Sequence, residues 1–255
     1  MSSIISDMDP ATAQLILPEL LMLGGIIAMI LVPNFGDATM RIPLTKMRIP
    51  VLIGGTRFAT TNNPKLPNQI ATTTLVLAFM TSLLFLSEEG DVGNLLHVDE
   101  FSRMFALVFS AALLLASLAT TARLPARPKA SAPLDTDSTA ISDAKVNALI
   151  DNRRQVDFYI LLLTTGLGMS LMAMATNLFM LFVCLELASL SSYILVAFHK
   201  ETDVGGEAGT KYFIVGSVVS AIGIYGMSLL YLWNGNLDMT NLAASWDAME
   251  GMDPV

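Results

Sequence analysis

The chain has 255 residues, of which 53% are hydrophobic and 14% charged, with 14 Lys+Arg against 22 Asp+Glu. A soluble domain carries about 25% charged residues, so this chain is too apolar to be wrapped in water and reads as an integral membrane protein. Its formal net charge of −8 argues against nucleic acid as a partner, and its single Cys excludes an internal disulfide framework or a cysteine metal cluster.

Crossing the hydrocarbon takes roughly 20 apolar residues in a helix. Six stretches qualify in chain order: about 13–33, 70–87, 103–121, 157–176, 178–198 and 211–233. Backbone polar groups must be satisfied internally in lipid, so these are helices, and no period-2 alternation supports a barrel. The first stretch has no basic lead-in and contains Pro18 and Glu19, so it is expected to be retained rather than cleaved. Glu19 reads as interfacial, near the outer end of that span.

Charge sets the orientation. Between spans one and two lie Arg41, Lys46, Arg48, Arg57 and Lys65. Between spans three and four lie Arg123, Arg127, Lys129, Lys145, Arg153 and Arg154. Lys200 and Lys211 flank the connection between spans five and six, which leaves only Arg103 at the other face. The alternate loops are acidic, with Glu88, Glu89, Asp91, Asp99 and Glu100 in one of them. The positive-inside rule then places both termini outside, which fits an even number of crossings. The fold class is an all-α membrane protein with six transmembrane helices.

The expected organisation is residues 1–121 for helices 1–3 with a cytoplasmic loop at 34–69, then a Pro/Ser/Asp-rich cytoplasmic linker at 122–156. Residues 157–233 carry helices 4–6, and 234–255 form a polar outer tail. Helices 4 and 5 are joined by little more than Thr176–Asn177, so they make a tight hairpin.

Within LFVCLELASLSSYILVAF (181–198), one carboxylate, Glu186, interrupts an apolar run. A charge at mid-bilayer costs about 2.5–3.5 kcal/mol and usually serves an ion path; the competing reading is a neutral, hydrogen-bonded acid that only packs helices. Ser189 and Tyr193 follow at i+3 and i+7 and form a polar stripe with it. Lys211 opens the last span, where it serves either as a snorkelling anchor or as part of a hydrophilic path. Glu186 lies about 18 Å above the cytoplasmic end of its helix at 1.5 Å per residue. A direct ion pair with Lys211 is therefore not expected unless the last helix starts earlier, near Gly206. Gly216, Ser220 and Gly223 form a small-residue face for close packing. Cys184 reads as a packing residue. His97 and His199 are too far apart to form a ligand pair, and no nucleotide loop, CxxC, HExxH or hydrolase triad occurs.

Two blocks, CLELASLSSYILVAF and GGEAGTKYFIVGSVVSAIGIYG, resemble the antiporter-like membrane subunits of respiratory complex I. Among these they are closest to the N-type subunits of NADH-quinone oxidoreductase and their relatives in archaeal deazaflavin-linked dehydrogenases. LPEL at 17–20 and VDEFSRMF at 98–105 are similar to the first and third helices of such subunits. The resemblance is weakest over 34–69 and 122–156. It implies that Glu186 is the acid that modulates a buried lysine, and that Lys211 belongs to the proton path. It further implies proton translocation coupled to remote electron transfer, with no redox centre on this chain. NADH or deazaflavin, flavin, Fe–S clusters and quinone are then expected on partner subunits.

The partners implied are the other membrane subunits and the lipid bilayer of a prokaryotic inner or plasma membrane. The chain corresponds to the N-terminal part of the antiporter-like fold, about six of the family's roughly fourteen helices. The seventh-helix lysine and the second repeat of such subunits are not in these 255 residues, which leaves open a truncated sequence, a fragment, or one product of a split gene whose other chain carries the remaining helices. Two other readings stay open: a subunit of a multi-subunit Na⁺/H⁺ antiporter, and a non-translocating membrane scaffold.

Overall fold

A computed structural model of the chain describes residues 10–31, 39–41, 48–50, 66–120, 139–199 and 202–250. Side chains are described over 12–31, 67–120, 154–199 and 202–248. The helices are α1 (Pro10–Leu15), α2 (Leu17–Leu31), α3 (Leu66–Leu84), α4 (Glu100–Ala119), α5 (Thr139–Ala173), α6 (Leu178–Val196), α7 (Asp203–Asn234) and α8 (Met239–Glu250). Two short antiparallel hairpins join them: β1 (Thr39–Arg41) with β2 (Arg48–Pro50), and β3 (Gly90–Val92) with β4 (Leu96–Val98). A 3₁₀ turn, Ala197–His199, follows α6.

Each expected span coincides with a helix. By length and composition, α4, the Arg154–Ala173 part of α5, α6 with its 3₁₀ turn, and α7 can cross a bilayer, while α2 is a shorter apolar helix. α3 starts with Asn68 and Gln69 and carries Thr72, Thr73 and Thr74, which dilutes its apolar character.

Local sequence sets the helix ends. Pro18 is tolerated in the first turn of α2 because its missing N–H has no helical partner there. Asp99 caps α4 in a reciprocal box. Its side chain accepts the Ser102 N–H at 2.8 Å, and its own N–H donates to Ser102 Oγ at 2.9 Å. Asn177 caps α6 by accepting the Phe179 N–H at 2.9 Å. Thr202 caps α7, which ends at Gly235 with φ +70°, a left-handed conformation that favours glycine.

Helices α2, α3, α4 and α5 form a four-helix cluster, α6 packs on α5, and α7 leans on α6 and the 3₁₀ turn. The core has two apolar layers. Met29, Ala71, Leu75, Leu113, Tyr159, Leu162 and Leu163 make the larger one, and Met22, Ala78 and Leu167 the smaller. Many apolar side chains outside these layers are exposed, such as Val215, Ile222 and Leu232 along α7. That distribution suits lipid or neighbouring helices and is unfavourable in water.

At one end of the bundle the connections are stitched by backbone hydrogen bonds. His97 N–H donates to the Met174 carbonyl at 2.8 Å and Thr176 N–H to the Leu95 carbonyl at 3.0 Å. Leu178 N–H donates to the Leu237 carbonyl at 2.9 Å and Met239 N–H to the Thr176 carbonyl at 3.0 Å. The start of α2 and the end of α7 therefore lie at the same end as the α3–α4 and α5–α6 connections. At the opposite end, Asn68 Nδ2 donates to Tyr159 Oη at 2.5 Å and to the Ser117 carbonyl at 3.2 Å. Thr72 and Thr120 extend that polar network to Ser117 and Tyr159.

The structure departs from the expected boundaries in three places. Helix α5 begins at Thr139, so residues 139–156 are helix rather than linker; the run from Thr139 to Arg154 contains no Gly or Pro to interrupt it. Helix α7 starts at Asp203, eight residues before Lys211, because Thr202 supplies the cap. The tail expected at 234–255 contains α8, whose first turn Asp238 caps. Of the loop at 34–69, only β1, β2 and the start of α3 are described. Residues 121–138, Lys200 and 251–255 lie outside the described residues, as do Lys46, Arg57, Lys65, Arg123, Arg127 and Lys129.

Candidate functional site

Glu186 is the ninth of the nineteen residues of α6, about 12 Å from the helix start. It is half-buried, and its Oε1 accepts a hydrogen bond from Ser220 Oγ on α7. Among the described residues, Ser220 is the one side chain that hydrogen-bonds this carboxylate. This hydrogen bond ties α6 to α7 at mid-span.

The α6–α7 pairing is an antiparallel zipper built on small residues of α7. An ideal Cβ at Gly223 meets the Phe182 ring at 3.8 Å. The Tyr193 phenol fills the place where a side chain at Gly216 would stand, and Ala197 fills that of Gly209. Ascending α6 thus means descending α7, from Gly223 through Ser220 and Gly216 to Gly209. The small-residue face at Gly216, Ser220 and Gly223 does face a helix, as its spacing suggested. Tyr193 is buried and stacks edge-on against Tyr212 and Phe213, with centroids 4.8 and 6.1 Å away.

Lys211 stands elsewhere in this register. It lies nine residues before Ser220, about 14 Å along the α7 axis. It is exposed and pairs with Glu207 one turn away on the same helix. The earlier start of α7 does not bring Lys211 to Glu186, because the zipper sets the register. The two expected site residues share one helix pair but not one contact.

Sequence reasoning missed the partner of Glu186. Ser220 reads as a packing residue on α7, and only the zipper register turns its hydroxyl toward the acid. It also missed the burial of Glu19 and Arg103. Glu19, near the end of its span, is 4% exposed and accepts the Ser170 hydroxyl at 2.5 Å. Arg103 is completely buried, and its Nη2 donates to the Leu15 carbonyl. Two opposite charges in the first turns of two apolar helices at one end of the bundle were the available signal. Cys184 is buried beside α5, as a packing residue would be. Among the described residues no three His, Cys, Asp or Glu side chains gather as a metal site.

Apolar helices around one mid-span acid are the make-up of a helical, multi-pass membrane protein. Residues 175–252, which include Glu186 and Lys211, match the family model described as NADH:quinone oxidoreductase/Mrp antiporter, TM.

Among individual proteins, the chain is similar to NADH-quinone oxidoreductase subunit N. It is 42% identical to that of Herminiimonas arsenicoxydans over 95 residues, 37% of this chain and 19% of that one. It is 28% identical to that of Beijerinckia indica subsp. indica over 229 residues, 90% of this chain and 38% of that one. The fold matches a chain of Thermus thermophilus respiratory complex I with bound aureothin, at TM-score 0.58 and 21% identity, covering 87% of this chain and 38% of that one. It also matches a chain of the membrane-bound sulfane sulfur reductase, an archaeal respiratory membrane complex, at TM-score 0.59 and 18% identity, covering 92% and 39%. The chain thus spans about two fifths of the length of the relatives it matches over most of its own length.

Proposed function

We propose that this chain is a proton-translocating membrane subunit of a complex I-type NADH- or deazaflavin-quinone oxidoreductase in a prokaryotic cell membrane. The carrying observation is a half-buried carboxylate at mid-span, hydrogen-bonded between two helices that lie inside the segment matching the antiporter family. Electron transfer takes place on partner subunits, which hold the flavin, the Fe–S clusters and the quinone. A change in charge or helix position reaches the α6–α7 pair, and Glu186 takes up or releases a proton in response. Ser220 orients the carboxylate by donating to Oε1. Lys211, about 14 Å away along α7, relays through water or through residues of a further helix. The exposed face of α7 is where that helix packs, contributed by a longer chain or by a separate subunit. Basic loops on one side and acidic loops on the other support an orientation with both termini outside.

The test is donor-driven acidification of inverted membrane vesicles carrying Glu186→Gln in the assembled complex, with quinone reduction followed in parallel. Retained assembly with a sharp loss of acidification supports the reading. Wild-type acidification with Gln at position 186 reduces Glu186 to a packing residue and favours a scaffold. The matching family description also names Mrp antiporters. A Na⁺/H⁺ antiporter subunit would give Na⁺-dependent pH changes without any electron donor, and the names of the relatives favour the quinone reductase.

A further inference from the structure

Four buried side-chain polar atoms among the described residues have no hydrogen-bond partner: Glu19 Oε2, Ser82 Oγ, and Nε and Nη1 of Arg103. All four come from one layer of the bundle. Glu19 and Ser82 each stand one turn outward from an apolar residue of the layer beneath, namely Met22 and Ala78, and Arg103 stands one turn outward from the buried Ala106 on its own helix. Ser170, which donates to the other oxygen of Glu19, stands one turn outward from Leu167 in the same way. Glu19 and Arg103 carry opposite formal charges within this layer. Their charged atoms nevertheless do not close to within 4.0 Å as a direct ion pair.

We propose that Glu19, Ser82, Arg103 and Ser170 form an internal water site at the end of the bundle nearest the β3–β4 hairpin. There, bound water joins Glu19 to Arg103 and latches α2 to α4 and α5. Buried polar groups of native proteins are nearly always satisfied, and an internal water takes about three partners. Four orphan atoms therefore call for one or two waters. Water fits better than an ion, because the guanidinium offers donors while the carboxylate oxygen offers an acceptor. Either an anion or a cation would meet one like charge.

The site is a latch. Beneath it lie Met22, Ala78 and Leu167, then Met29, Leu75, Leu113 and Leu163. From Met22 to Met29 this floor is about 10 Å deep, and Thr74, packed against Gly25, and Ser110, which donates to the Leu107 carbonyl at 3.1 Å, place two buried hydroxyls within it. Between this layer and Glu186, α5 and α6 approach backbone to backbone: an ideal Cβ at Gly168 meets the Ala188 nitrogen at 2.7 Å and the Cys184 carbonyl oxygen at 2.9 Å.

The experiment compares Glu19→Leu, Arg103→Met and the double variant in membranes with the native partner subunits. It measures the amount of folded chain and, separately, donor-driven acidification. Removing one member of a buried pair strands the other, whereas replacing both with apolar residues is often neutral. Each single variant is expected to lower the folded amount several-fold, and the double variant to restore it together with wild-type acidification. A double variant no better than the product of the singles would overturn the latch. A double variant that assembles but no longer acidifies would make the layer part of the proton route instead. In a high-resolution electron cryo-microscopy map, density between Glu19 and the guanidinium supports bound water, and direct contact of the two side chains without it would overturn that part. The folded-amount comparison stands whether or not the chain moves protons.

Discussion

Gly168 is the point where α5 and α6 touch backbone to backbone, and replacing it by alanine puts the packing to a quantitative test. The added Cβ falls 2.7 Å from the Ala188 nitrogen and 2.9 Å from the Cys184 carbonyl oxygen. Ordinary van der Waals contact starts near 3.4 Å, so two helix backbones must part by about 0.5–0.7 Å, with no side-chain rotation to absorb it. Overpacking of this kind costs about 1–3 kcal/mol, with rigid backbone on both sides favouring the upper part of that range. Alanine returns up to about 1 kcal/mol of helix propensity. The net loss of about 1–2 kcal/mol is a factor of roughly 5–30 in the population of the opened interface.

The chain's single cysteine reports that opening directly, because Cys184 is buried at this same contact. Under conditions where reclosing outpaces reaction, the labelling rate of Cys184 by a thiol reagent should rise roughly 5–30-fold in Gly168→Ala. Gly24→Ala is the control, since a Cβ there meets nothing within 4 Å, and its labelling rate should match wild type. Equal rates for Gly168→Ala and wild type would refute the close approach of α5 and α6.

Three further outcomes follow from the geometry. Leu163 is fully buried in the larger apolar layer, so Leu163→Ala should cost about 2–5 kcal/mol, read as a lower midpoint of thermal unfolding in detergent. Lys211 and Glu207 form an exposed i,i+4 pair, worth about 0.3–0.5 kcal/mol. If Lys211 serves the proton path, Lys211→Gln should reduce donor-driven acidification with little change in thermal midpoint, while Glu207→Gln changes neither strongly. Asp238, in the connection to α8, is held below the usual carboxylate range by hydrogen bonds from the Thr240 side chain and backbone N–H. Such a group contributes stability above its unfolded value, and the contribution is lost as pH falls through its folded value. Asp238→Ala should therefore speed hydrogen exchange across the first turn of α8 at neutral pH, with the difference vanishing under strongly acidic conditions.

The apolar helices and the candidate acid were legible in the sequence because membrane insertion imposes strong local rules. A helix in lipid must be long and apolar, so stretches such as 178–198 announce themselves, and a lone Glu186 within one stands out by cost alone. Capping chemistry is equally local, yet the early start of α7 at Thr202 and the helix at 239–250 escaped notice. Polar, moderately helical residues outside the hydrocarbon carry no strong signal either way.

What the sequence could not decide is which residues meet. Ser220 becomes the partner of Glu186 only through the antiparallel register that Gly209, Gly216 and Gly223 allow, and that same register holds Lys211 about 14 Å away along the helix. Glu19 and Arg103 each look like end-of-helix charges when read alone. Their burial comes from the packing of α2, α4 and α5 around one layer, and it depends on residues up to 151 positions apart in the chain. Local composition determines which segments are long and apolar enough to cross a membrane. Only the packing of helix on helix determines which polar atoms share a site, because pairing depends on distance in space, and hydropathy along the chain carries no information about it.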